Sequence, residues 1–373
     1  MVYIDNIYKG LLVFPFIAAL FTLPYAVYQY NRHSSVSKYR TLIIYSFILY
    51  MLIAFFMVIL PLPDRASTAG NTWRDHLNLI PFRQIWLYWH DKAFGIAAFK
   101  EYLVSMSLWQ LLFNILLTVP FGVYMRYYFK LSLKRTILYS FLLSLFYETS
   151  QITALFGIYP GPYRLADVED LICNTMGGAG GYYIASVFAG VLPSRDEIDE
   201  KCRASGTRVT GMRRAWSVLF DYVCITVVYI FLLGVIQLLD PEFTSYSIYG
   251  EVYCWSFFCI VSLVQVLLTK GSTLGHAACR VILVSEDGGV ASAGQLIKRY
   301  LYLWLVSDLP LIIAGQLMRV RVAFVIDILI LGLTAVSRIY FIIYFINVVL
   351  RRGRLMPHDK LSRTLYMVTD IPE

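Results

Sequence analysis

Charge is scarce in this chain. Only 15% of its 373 residues are Asp, Glu, Lys or Arg, while 58% are hydrophobic. Such a composition excludes an ordinary water-soluble domain and leaves a polytopic integral membrane protein. The six cysteines form no CxxC pair and no zinc spacing, and Cys173, Cys224, Cys254 and Cys259 sit in apolar segments as small core residues. The five histidines form no HExxH motif, so no dedicated metal site is expected, and no motif names a cofactor. No short internal repeat and no low-complexity tract is evident. The first apolar run is too long for a signal peptide and lacks a small-residue cleavage site, so no cleavable leader is expected. The formal net charge of +8 does not point to nucleic acid. The basic residues gather in short loops, as membrane orientation requires.

What is present is a series of apolar runs long enough to span a bilayer. Nine are expected, at 11–30, 42–62, 103–127, 136–156, 170–192, 215–239, 252–269, 297–317 and 322–350. The expected fold is therefore an all-α polytopic membrane protein of about nine transmembrane helices in two helical bundles. A small cytoplasmic β-hairpin is expected at RVILVSEDGGVAS, turning at Glu286-Asp287-Gly288-Gly289. Residues 193–212 are polar and of mixed charge, and read as a cytoplasmic linker between a transmembrane domain at 1–192 and a second at 213–373. Lysine and arginine follow the odd-numbered spans, whereas 240–251 holds Asp240, Glu242 and Glu251 with no basic residue. That alternation puts the N-terminus outside and the C-terminus in the cytoplasm of a multi-pass cell-membrane protein. The 63–102 loop is an exception, since it carries Arg65, Arg74, Arg83, Lys92 and Lys100 yet falls outside. Its Trp86, Tyr88 and Trp89 suit the headgroup layer, so part of it is expected to lie along the outer surface.

The polar residues inside the spans carry the functional information. Glu148 and Gln151 share one face of the fourth span, and Asp167, Asp170 and Asn174 fall three and four apart at the start of the fifth, just after Arg164. A charged side chain in hydrocarbon costs roughly 2.5–3.5 kcal/mol or more, which makes each a functional hypothesis. Polar glue between two helices is the competing explanation. At about 1.5 Å per residue, Glu148 lies about 12 Å below the outer end of its span, with Asn114 near mid-membrane. Asn78 lies in the outer loop. One outward-facing pocket is expected, with Glu148 in polar contact with Arg164, Asn174 or Asn114. The following Gly177, Gly178, Gly180 and Gly181 read as close helix packing. Paired carboxylates near an arginine leave three chemistries open: an acid/base pair, an ion-coordinating group, or a clamp on phosphate or sugar.

These residues also carry a resemblance. NLIPF at 78–82, FNILLTVPFG at 113–122, E-x-x-Q at 148–151 and R-x-x-D-x-x-D-x-x-x-N from Arg164 to Asn174 resemble the VanZ-like family, in family order over about residues 40–190. The family's polar positions fall here on Asn78, Asn114, Glu148, Gln151, Arg164, Asp167, Asp170 and Asn174, and the resemblance implies no reaction. Glu148, Asp167 and Asp170 are taken as candidate catalytic groups, and Asn78, Asn114, Gln151, Arg164 and Asn174 as candidate substrate-binding groups. The resemblance further implies a cell-envelope role linked to resistance to glycopeptide antibiotics, notably teicoplanin. The second half, about 210–370, resembles the RDD family. Arg214 precedes Asp221 by seven, so the two are expected to pair or share partners, and the block from His358 to Thr364 supplies Asp359 as the second aspartate. Ser217 stands where that family usually has alanine.

Three functions compete. The first binds or modifies an outer-leaflet lipid-linked envelope precursor, such as a polyprenyl-phosphate-linked glycan. There Arg164 contacts phosphate, Glu148 is the acid/base, and Asp167 and Asp170 orient it or hold a cation. The second is an ion or small-solute transporter using Asp221, Asp308, Asp327 and Arg338. The third is a membrane scaffold without chemistry. Membrane lipids are the expected partners in each. Asp308 and Arg338 lie at similar depth on neighbouring spans and are expected to form an intramembrane ion pair.

Overall fold

The computed structural model describes residues 2–33, 35–90, 95–188, 193–239, 249–309 and 355–369, with isolated helical positions between 310 and 354. Asp327 and Arg338 lie outside the described residues, and with them the far side of the expected pair with Asp308.

The protein is a helical membrane protein with very little strand. Its long helices are α1 (Val2–His33) and α2 (Lys38–Ile59), then, after two short surface helices α3 (Arg83–His90) and α4 (Ile96–Leu103), α5 (Met106–Tyr127) and α6 (Leu133–Ile152). A single turn α7 (Ala154–Gly157) leads to α8 (Val168–Val187), α9 (Arg195–Ser205), α10 (Gly211–Leu239) and α11 (Tyr249–Leu268). The last elements are α12 (Leu274–Ala278), β3 (Val281–Ser285), α13 (Ala293–Ser307), α14 (Pro357–Ser362) and β4 (Thr364–Val368). Two residues each of β1 (Leu77–Asn78) and β2 (Ala166–Asp167) pair in parallel. Among the described residues, α1, α2, α5 and α10 are long and apolar enough to cross a membrane by composition, and Cys254–Leu268 is a shorter apolar helix.

α6 shows why composition alone understates the bundle. Its buried face is polar: Thr136, Ser140, Ser144 and Glu148 recur every four residues, joined by Tyr147 and Gln151. Its exposed face is Leu138, Phe141, Leu142, Leu145 and Phe146. A helix with apolar residues outward and small polar ones inward is inverted relative to a soluble bundle, as lipid requires. α8 meets this face, and α5, with small residues. A Cβ on Gly177 would stand 2.1 Å from the Ile115 carbonyl oxygen, and one on Gly178 1.9 Å from Ser140 Oγ. Only glycine lets these backbones approach so closely.

The chain divides into two compact units. The first comprises Met1–Leu20 and Lys38–Ile198, the second Phe21–Ser37 and Asp199–Glu373. In the second, Tyr30 packs with Cys279 and Val281, and Asn31 Nδ2 donates to the Ala278 carbonyl at 2.8 Å. Its core gathers Val266, Leu283, Ala291, Leu296 and Tyr300. The turn at 286–289 forms where expected, closed by Ser285 N–H to Gly289 O at 2.8 Å, and Val284 bridges Val290. The five-residue partner of β3 is β4, antiparallel, with Val281 opposite Val368. That partner lies some eighty residues away, beyond the reach of any local turn signal.

Candidate functional site

In the first unit, three elements meet at the start of α8. The β1–β2 pairing sets Asn78 opposite Asp167. Asp167 is the N-cap of α8: its Oδ1 accepts the Glu169 N–H at 2.9 Å, and its Oδ2 accepts Asn78 Nδ2 at 2.9 Å. A carboxylate at this end also faces the positive end of the helix dipole. Glu148 Oε2 accepts the backbone N–H of Asp167 at 2.9 Å. Asp170 Oδ1 accepts from Asn114 Nδ2 on α5. One turn deeper, Asn174 Nδ2 donates to Ser144 Oγ at 2.9 Å, Ser144 Oγ donates to the Asp170 carbonyl at 3.3 Å, and Thr118 Oγ1 donates to the Asn174 carbonyl at 2.7 Å.

Asn78, Asn114, Glu148, Asp167, Asp170 and Asn174 are thus brought to one junction, largely buried. Glu148 reaches it through the Asp167 N–H. Among the described residues it makes no hydrogen bond with Arg164, Asn174 or Asn114, although Asp170, Asp167 and Arg164 are its charged neighbours. Among the described residues, none of the three carboxylates forms an ion pair.

Arg164 and Gln151 do a different job. Arg164 donates through Nη1 to the Val58 carbonyl and through Nη2 to that of Leu60 at 3.3 Å. Gln151 Nε2 donates to Val58 O at 3.2 Å, Tyr163 Oη to Ile59 O at 3.4 Å, and Asn6 Nδ2 to Leu60 O at 3.1 Å. The last carbonyls of a helix have no partner within it, and a cation there complements the negative end of the dipole. These four side chains close the end of α2. The chain reaches them through α7, where Ala154, Leu155 and Phe156 are left-handed at φ 55°, 54° and 57°. Non-glycine residues pay roughly 1–2 kcal/mol each for that conformation. The turn folds the 158–167 segment back toward α2.

The second unit holds a cluster of opposite character. Asp359, 1% exposed, accepts from Arg299 Nη1 through Oδ1 and from Arg214 Nη1 at 3.2 Å and the Met356 N–H at 3.0 Å through Oδ2. Arg299 Nη1 also donates to Thr364 Oγ1 at 2.9 Å, and both guanidinium carbons stand about 5 Å from the Tyr366 ring centre, at 4.9 and 5.0 Å. Burial opposes the Asp359 charge, but the Arg299 guanidinium outweighs it and, with the Met356 N–H, holds the carboxyl below its usual range. Burial with Arg299 alongside pulls His276 down to about 3, and the same two causes pull His358 down to about 3, so both are neutral at physiological pH.

Asp221 does not join Arg214. Its Oδ1 accepts the Gly275 N–H at 2.6 Å, and its Oδ2 accepts from Thr273 Oγ1. The start of α12 therefore takes Asp221 as its anion while Arg214, seven residues earlier, turns to Asp359. The two are separate anchors. Asp308 accepts from Ser256 Oγ, to which Trp304 Nε1 also donates at 2.9 Å. Arg299, the central cation, carries a sequence signal only as part of a basic loop. Its place in α13 between Leu296 and Tyr300, both buried, is the pattern that would have exposed it.

The comparisons agree with this division. A family model described as VanZ/LLP1 matches residues 47–189, and one described as RDD family matches residues 208–363. No curated protein and no solved structure matches the chain. With the β1–β2 junction inside the first match and the Arg214–Asp359–Arg299 cluster inside the second, the chain is a membrane protein with a VanZ-like domain at residues 47–189 fused to an RDD-family domain at residues 208–363.

Proposed function

We propose that the VanZ-like domain binds or modifies an outer-leaflet lipid-linked envelope precursor at the Glu148–Asp167–Asp170 junction, and that this underlies a role in resistance to teicoplanin-type glycopeptides. The VanZ family is linked to teicoplanin resistance. The observation that carries the reading is the convergence of three carboxylates that hold neutral donors and no ion-pair partner among the described residues. A structural ion pair neutralises buried charge, whereas a working site leaves it available. Glu148 is the acid/base, because one of its oxygens is oriented by the Asp167 N–H and the other accepts no hydrogen bond among the described residues. Asp167 and Asp170 hold the reacting group's surroundings in place. Charge alternation along the loops sets the junction on the outer side, with the N-terminus outside and the C-terminus cytoplasmic. The exposed Trp86, Ile96 and Phe99 of α3 and α4 suit the outer headgroup layer. Asp221 and Asp308 are occupied by hydroxyl or N–H donors, which weighs against a transport route through them.

Glu148→Gln and Asp170→Asn should each abolish teicoplanin resistance while membrane abundance stays at the wild-type level. Full resistance in both variants would remove the reading. Cysteine-accessibility labelling should reach 63–102 and 157–167 from outside and 270–295 from inside; the reverse pattern would move the junction to the cytoplasm.

A further inference from the structure

The chemistry of the ligand group follows from which polar atoms at the junction are already used. Each side-chain nitrogen at the junction already serves a protein acceptor. Arg164 gives Nη1 and Nη2 to the carbonyls ending α2, Asn78 Nδ2 serves Asp167, Asn114 Nδ2 serves Asp170, and Asn174 Nδ2 serves Ser144. The atoms there without a partner that can be named are acceptor oxygens. Glu148 Oε1 and Asp170 Oδ2 receive no hydrogen bond among the described residues. Asn174 is 4% exposed, and its Oδ1 is sealed from solvent with no hydrogen-bond partner. Asn174 follows Asp170 by four, and Ser144 precedes Glu148 by four, so the 2.9 Å Asn174–Ser144 bond sets the Asp170 and Glu148 faces side by side.

An unpaired buried acceptor costs about 1–3 kcal/mol, which a native fold retains where something else completes it. A phosphate would bring only more acceptors and more negative charge. A metal ion finds no matching cage: among the described residues no three acid, histidine or cysteine side chains are grouped to hold one. A primary ammonium brings three N–H donors and one positive charge. We infer that the junction takes the primary ammonium group of an amine-bearing envelope lipid or lipid-linked precursor, with Asn174 Oδ1, Asp170 and Glu148 as its acceptors. This rests on the junction being the ligand site of the VanZ-like domain, as proposed above. It replaces the arginine–phosphate contact as the recognition event.

Two sources of the same group can be separated with the full-length protein in detergent. One arm measures binding of phosphatidylethanolamine against its N-acetylated form and phosphatidylcholine, which keeps the charge but has no N–H. The other uses a polyprenyl-diphosphate disaccharide-pentapeptide whose lysine ε-amine is free or acetylated. The free amine should bind at least about tenfold more tightly than its blocked partners in one arm or both, the scale of a charge-assisted hydrogen bond. That ratio should fall below about twofold in both Asp170→Asn and Asn174→Leu. Because the readout is a ratio, loss of folded protein alone does not move it. A wild-type ratio near one with precursor still bound overturns the ammonium and leaves the precursor reading standing. Amine selectivity confined to the phospholipid arm supports the ammonium and removes the precursor. No binding of any probe overturns both.

Discussion

The two units treat buried charge in opposite ways. In the RDD domain one carboxylate, Asp359, is gripped by Arg214 and Arg299 over the ring of Tyr366. In the VanZ-like domain three carboxylates share neutral amides and backbone N–H groups, while the nearby Arg164 is turned to the end of α2. The first arrangement satisfies its charge internally, and ties the C-terminal α14–β4 segment to α10 and α13. The second leaves carboxylate oxygens and an amide acceptor unanswered by the described residues, and the proposed ligand site rests on that difference. Buried charge by itself therefore does not mark function; the state of its partners does.

The largest expected effect tests that contrast directly. Arg299→Gln should destabilise the RDD domain by about 3–5 kcal/mol, because it leaves Asp359 buried with half its counter-charge. Hydrogen exchange over 355–369 should rise with it. Glu148→Gln should change thermal stability by less than about 1 kcal/mol, since no ion pair is lost and the amide oxygen still accepts the Asp167 N–H. Equal losses in the two variants would break the comparison.

Acid should separate the units next. His276 and His358 have folded values near 3, below the ordinary histidine value of 6.5. A base with a depressed folded pKa contributes stability that is intact above its unfolded value and is lost as pH falls toward the folded one. Between pH 6 and pH 5 the two histidines together should cost the RDD domain about 2 kcal/mol. His276→Gln should remove about half of that slope in a pH series of denaturant unfolding.

The most local effect concerns how the helices of the VanZ-like junction are held together. Gly178→Ala would press its Cβ on Ser140 Oγ at 1.9 Å and should cost about 1–3 kcal/mol. Ser140→Gly in the same chain should recover most of it. Gly177→Ala, which meets the Ile115 carbonyl oxygen at 2.1 Å, should not be recovered that way. Thermal unfolding of the four variants in detergent would decide whether the seam is set by this contact.

Much of the architecture was legible in the order of residues. A long apolar run has few readings, so α2, α5, α6, α8, α10 and α11 lie within about five residues of the expected runs, whereas α1 begins at Val2 and not at 11, and α13 ends at Ser307 and not at 317. Glu148 and Gln151 already shared one face of α6, and GGAGG already named a close seam, whereas the buried Thr136, Ser140 and Ser144 that continue that face came from the structure. The motif blocks pointed to both families. Less legible were the partners. Arg164 stands before two aspartates in sequence, yet its guanidinium reaches the carbonyls of Val58 and Leu60, about a hundred residues earlier. Arg299 falls at the start of the expected 297–317 run, and nothing in the sequence pairs it with Asp359, sixty residues on.

By itself, then, the sequence determined that the chain is a helical membrane protein, where its long helices lie, and which residues are too polar to face lipid. These follow from transfer free energy and helical periodicity, which act locally. Tertiary structure decided which donor meets which acceptor: that Asp221 caps α12 while Arg214 holds Asp359, that β3 pairs with β4, and that Arg164 closes α2. The physical reason is that a hydrogen bond or an ion pair is a contact of about 3 Å, and only the packed fold brings groups scores of residues apart within that reach.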